Sequence, residues 1–181
     1  MRNILVIIMM FILGGVVMAT PSTQIWNPST DTQAPGTVHL GIDNYFTGVG
    51  IEDGGYALPT DVGITYGLMP GLEIGFDLFA PQTYPTAFNF KLAVPESVDL
   101  PIAAAVGGFG FGTKAEVTDY NVGYAVVAKT FPIGRFTAGL FQGNEQLLVD
   151  TKGNKDNSGG ILTWDKQITD KLWLSIDHAG S

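Results

Sequence analysis

One stretch restricts what this chain can fold into more than any other: Thr65–Phe79, reading Thr-Tyr-Gly-Leu-Met-Pro-Gly-Leu-Glu-Ile-Gly-Phe-Asp-Leu-Phe. From Leu72 onward it alternates strictly. Leu72, Ile74, Phe76 and Leu78 fall on one side and Glu73, Gly75 and Asp77 on the other, the period-2 pattern of a strand with one apolar and one polar face. The preceding residues do the same, with Leu58, Thr60, Val62, Ile64 and Tyr66 opposed by Asp61, Gly63 and Thr65. Between them Gly67-Leu68-Met69-Pro70-Gly71 reads as a five-residue turn, because Pro and Gly preset turn dihedrals. The unit is a β-hairpin, and its function turns on whether the apolar face meets a protein core or lipid.

The N-terminus predicts export. Met1-Arg2-Asn3 is a short basic lead, Ile4–Met18 is uncharged and apolar, and Val17-Met18-Ala19 ends in the small residues a signal peptidase accepts, so residues 1–19 read as a signal peptide cleaved after Ala19. The apolar run is short of the roughly 20 residues that span a bilayer as a helix. The chain has no cysteine, which excludes disulfides and a lipid-anchored N-terminus. Without Arg2, 8 basic residues face 17 acidic ones, a net charge of −9 that argues against nucleic-acid binding. The 24 glycines and 10 prolines fall within strands and at turns, as in an all-β chain.

Residues 20–35 are polar and turn-prone and read as a lead-in segment, either a plug or a periplasmic tail; residues 36–181 form one β domain. Its strands are expected at 36–46, 58–66, 72–79, 86–94, 101–112, 120–130, 135–142, 159–166 and 172–179. Short turns at 67–71, 95–100, 131–134 and 167–171 alternate with longer polar loops starting near Thr47, Ala80, Thr113 and Gly143. One end of an up-and-down antiparallel meander is therefore trimmed and the other elaborated, the pattern of a transmembrane β-barrel.

A soluble barrel would show the same alternation with its apolar face turned inward. Charged residues make up only 14 % of this chain, against roughly 25 % in soluble domains. The polar faces are thin, with Gly41, Gly63, Gly75, Ala87, Ala93, Gly123, Ala125 and Gly139 where a solvated surface would carry Lys and Glu. Tyr45, Phe46, Tyr66, Phe79, Phe88, Phe131, Phe136 and Trp164 gather toward strand ends, as membrane girdles do. Val122, Tyr124, Val126 and Ala128 are accordingly expected to face outward with the other apolar rows.

On these features the chain resembles bacterial outer-membrane β-barrel proteins as a class. The resemblance implies an outer-membrane location and contact with outer-membrane lipid. It also implies an even strand count and a terminal aromatic, whereas nine strands are expected and the sequence ends His178-Ala179-Gly180-Ser181. The chain therefore reads as a C-terminally incomplete copy of a barrel of ten or twelve strands.

No catalytic, metal or cofactor site is expected. His39 and Asp43 share a face but lie about 13 Å apart along a strand, and Asp177 and His178 point to opposite faces. The glycines of 107–112 precede no helix, so they form no phosphate cradle, and Asp150–Asp156 lacks the spacing and closing Glu of a calcium loop. What remains is a set of inward charges: Asp43, Asp61, Glu73, Asp77, Asp165 and Asp177 against Lys91, Lys129 and Arg135. They are either the lining of a mildly cation-favouring pore for small solutes or pairs, such as Asp77 with Lys91, that fill a closed interior. A non-conducting structural or surface-binding barrel and a soluble periplasmic lipid-binding barrel are the alternatives to a pore.

Overall fold

The structure, a computed structural model, describes residues 22–44, 60–79, 86–149 and 153–180. The expected signal peptide, Tyr45, Phe46, Leu58 and Asp150 lie outside the described residues. Among the described residues nine strands form one antiparallel sheet in chain order: β1 (Val38–Asn44), β2 (Thr60–Met69), β3 (Leu72–Phe79), β4 (Ala87–Val94), β5 (Ala103–Gly112), β6 (Asp119–Phe131), β7 (Gly134–Gln142), β8 (Ser158–Thr169) and β9 (Leu172–Gly180). No helix occurs among the described residues. The all-β meander is thus as the alternation predicts; the sheet is open, with β1 and β9 as its edges.

The turns are tighter than their sequences suggest. Leu68 and Met69 continue β2 past a bulge at Gly67, so the expected five-residue turn is the pair Pro70-Gly71. Pro132-Ile133 and Asp170-Lys171 make equivalent two-residue turns at the same end of the sheet.

The two faces are inverted relative to a water-soluble sheet. Leu40, Ile74, Phe88, Phe90, Leu162 and Ile176 are exposed, Ile176 to 68 %, while Glu73 and Lys91 on the opposite face are 0 % exposed. Such burial on one face requires the sheet to curl, and the segment before β1 shows by how much. Ser22 bonds to Glu73 on β3, and Ile25, three residues on, bonds to Asp177 on β9. In a flat sheet those strands would stand about 29 Å apart, whereas three extended residues reach about 10 Å. β3 and β9 therefore approach each other across the concave face of the curled sheet.

One strand faces the opposite way from its expectation. Val122, Tyr124, Val126 and Ala128 of β6 are buried in the interior, and Gly123, Ala125 and Val127 face out. Both rows are apolar or small, so polarity could not assign them; pairing does. Val126 lies across from Gly139, where a side-chain carbon would come within 2.6 Å of its Cγ1, so the valine occupies the space the glycine leaves. Ala93, Ala105, Tyr124, Val126 and Ile161 consequently form a small apolar cluster inside, with Phe109 and Phe141 against it.

Candidate functional site

The inner face is where the chain's chemistry collects, and the segment Ser22–Gln33 lies against its short-turn part. Ser29 donates its N–H to the Ser22 carbonyl (3.1 Å) and Gln24 to the Asn27 carbonyl (2.9 Å), which folds Ser22–Ser29 into a tight loop with Ile25 and Trp26 at its tip. Ser22, Gln24, Asn27, Ser29 and Thr30 are buried, whereas Ile25 and Trp26 are 55 % and 65 % exposed. The segment is inverted like the wall it touches: against a polar surface, hydroxyls and amides go in.

Three carboxylates hold it. Glu73 accepts from the Ser22 N–H (2.8 Å), the Ser22 hydroxyl (2.7 Å) and the Gln33 N–H (2.8 Å). Opposite Glu73 on β4, Lys91 places Nζ 3.3 Å from Oε1 and donates to the Ser22 and Asp31 carbonyls. On the far side Gln24 donates to the Thr137 hydroxyl (2.9 Å) and to Asp165 (2.6 Å), and Arg135 bridges Asp165 (2.9 Å) and Asp31 (2.8 Å). At the tip the successive N–H groups of Ile25, Trp26 and Asn27 converge on one oxygen of Asp177 at 2.9, 2.8 and 2.9 Å. Consecutive amides aimed at one point make an anion-binding concavity, here occupied by a wall carboxylate. Asn27 adds bonds to the Thr163 hydroxyl (3.0 Å) and the His178 carbonyl (3.0 Å).

The expected inward charges divide accordingly. Glu73, Lys91, Arg135, Asp165 and Asp177 form the set that grips the segment, and Asp61 and Asp77 are buried on the same face. Asp77 accepts from Asn89 (2.8 Å) and does not pair with Lys91, because the register sets Asp77 across from Ala87 and gives Lys91 to Glu73. Asp43 stands across from Asp61, and its side chain lies outside the described parts of the structure. Lys129 is a correction: with β6 reversed it leaves the interior and binds Glu96 (2.6 Å) and the Pro101 carbonyl (2.6 Å) in the β4–β5 turn. That bond, with further ones from Thr130, holds the Glu96 carboxyl below the usual carboxylate range.

From sequence this segment is open between a plug and a periplasmic tail; its residues 22–33 lie against the inner face of the sheet. The signal lay in its composition: Ser22, Gln24, Asn27, Ser29, Thr30 and Gln33 carry uncharged donors and acceptors, as burial against polar neighbours requires. Among the described residues no three His, Asp or Glu side chains converge as a metal site would need. Compared with known proteins, the chain matches no family model, no curated protein and no solved structure.

Proposed function

We propose that this chain is the wall and plug of a bacterial outer-membrane β-barrel that passes small polar solutes. One observation carries the membrane reading: apolar rows lie outside while a hydrogen-bonded set of charges is enclosed, the reverse of what water would select and what hydrocarbon requires. The aromatic residues agree, since Phe131 and Phe136 pack edge to face (centroids 5.9 Å apart) on the outer side at the short-turn end, next to Trp164, which bonds the Ile133 carbonyl. A soluble lipid-binding barrel would place those apolar rows inside.

The interior favours cations over anions. With Lys129 outside, the inner wall carries the buried Asp61, Glu73, Asp77 and Asp165 and the half-buried Asp177 against the buried Lys91 and the half-buried Arg135. The segment against the inner face favours a second reading, a non-conducting barrel whose charges only pair. Reconstitution into planar bilayers separates the two: cation-selective conductance is expected for the transport barrel, and no conductance under any latch-breaking substitution supports the structural one. Recovery in the soluble fraction would overturn both.

A further inference from the structure

We infer that Ser22–Gln33 is a displaceable gate, closing the short-turn mouth by a polar latch, and not a fixed part of the core. The proposal rests on the transport reading above and adds how the barrel opens.

Three features carry it. The segment's holds on the wall are hydrogen bonds to Glu73, Lys91, Thr137, Asp165 and Asp177 and an ion pair from Asp31 to Arg135. Its two large apolar side chains, Ile25 and Trp26, are more than half exposed and add little burial. Each wall partner is a group that water satisfies as well as a protein donor does, so exchanging segment for water costs little per bond. An apolar core segment would instead lose its transfer free energy on leaving.

The attachment also has a pivot. The segment joins β1 through Gly36, whose φ of +78° lies in the region glycine tolerates, and Gly36 N–H bonds the Gly67 carbonyl (2.8 Å) on β2. Beyond this point β1 is fixed in the sheet by its pairing with β2. Beside the segment's outer arm, at the short-turn mouth, lies a cavity of about 690 Å³ bounded by Thr30, Asp31, Gly71, Ala93, Glu96 and Arg135. It gives the arm space to swing without moving a strand.

The chain has no cysteine, so a single introduced thiol reports on the gate. Thr163 lies under Asn27 at 4 % exposure. In proteoliposomes holding the full chain, Thr163→Cys should react slowly with a charged thiol reagent. Adding Asp177→Asn, which weakens the clasp on three backbone N–H groups, should speed labelling at least about ten-fold. Should that variant fail to show the heat-modifiable mobility of a folded barrel, Gly67→Ala serves instead, because it crowds the segment and keeps every carboxylate. Labelling that stays slow in the folded variants overturns the gate, whatever the conductance. Faster labelling without any bilayer conductance keeps the gate and overturns the transport reading.

Discussion

Glu73 and Lys91 stand directly across from each other on β3 and β4, 3.3 Å apart, with neither side chain reaching solvent. A buried pair of this kind stabilises little against an apolar replacement, yet breaking it strands a charge. Lys91→Met should therefore lower stability by about 3–5 kcal/mol, far more than the roughly 1 kcal/mol of an exposed pair. Adding Glu73→Leu removes the unpaired charge and also the acceptor of three segment donors, so the double variant should lose less than the sum of the two single losses. Urea unfolding in lipid vesicles, followed by tryptophan fluorescence, measures the cycle. Additive losses would mean that the two residues act separately.

Gly67 and Ala34 make a second close relationship. A β-carbon at Gly67 would lie 2.1 Å from the Ala34 carbonyl oxygen and 2.6 Å from that of Gln33, and these are backbone atoms that cannot rotate aside. Gly67→Ala should push the segment off the wall at a cost of about 1–3 kcal/mol. Hydrogen exchange at the Ser22 and Gln33 amides, both held by Glu73, should accelerate. Unchanged exchange at those two amides would show that the crowding is absorbed elsewhere.

The alternation in β3 and β4 made their outward rows readable because Leu and Phe oppose Glu, Asp and Lys. In β6 it did not, since Val126 and Ala125 differ in size and hardly in polarity; only the gap at Gly139 decides which turns inward. Lys129 was misplaced with its strand. The partner of Lys91 was illegible for another reason: the β3–β4 register depends on the loop between them, whose span no residue count fixes. Of the latch, the polar composition that suits a plug was legible, and its contacts were not. A segment without periodicity gives no hint of what it touches, and Asp177, far along the chain from Trp26, becomes its neighbour only once the sheet has curled.

Acid should act on the short-turn end through Glu96. The Lys129 hydrogen bond, with the bonds from Thr130, holds this carboxyl below its ordinary range, so its folded pKa is depressed relative to the unfolded chain. A depressed carboxylate contributes stability that is present above its unfolded pKa and is lost as pH falls through the folded one. Glu96→Gln should thus be less stable than the parent at neutral pH and equal to it once the pH is below the carboxylate range. Parallel urea midpoints against pH measure this; a gap that persists in acid would assign the effect to packing.

Leu162 is the position that most directly separates lipid from water. It lies near the middle of β8, faces out at 60 % exposure, and is flanked in the ladder by Ala138 on β7 and His178 on β9. If its surroundings were aqueous, Leu162→Arg would be an ordinary surface change within about 0.5 kcal/mol. Facing hydrocarbon, the guanidinium must be desolvated or must drag water and headgroups to it, which costs roughly 2–4 kcal/mol near the bilayer midplane. Thr163, one residue along, faces the interior, so it supplies the internal control: Thr163→Ser on the same strand should change stability far less. Folding free energies of both variants in vesicles are expected to differ by the hydrocarbon cost, and a Leu162→Arg protein as stable as its parent would remove lipid from the outer face.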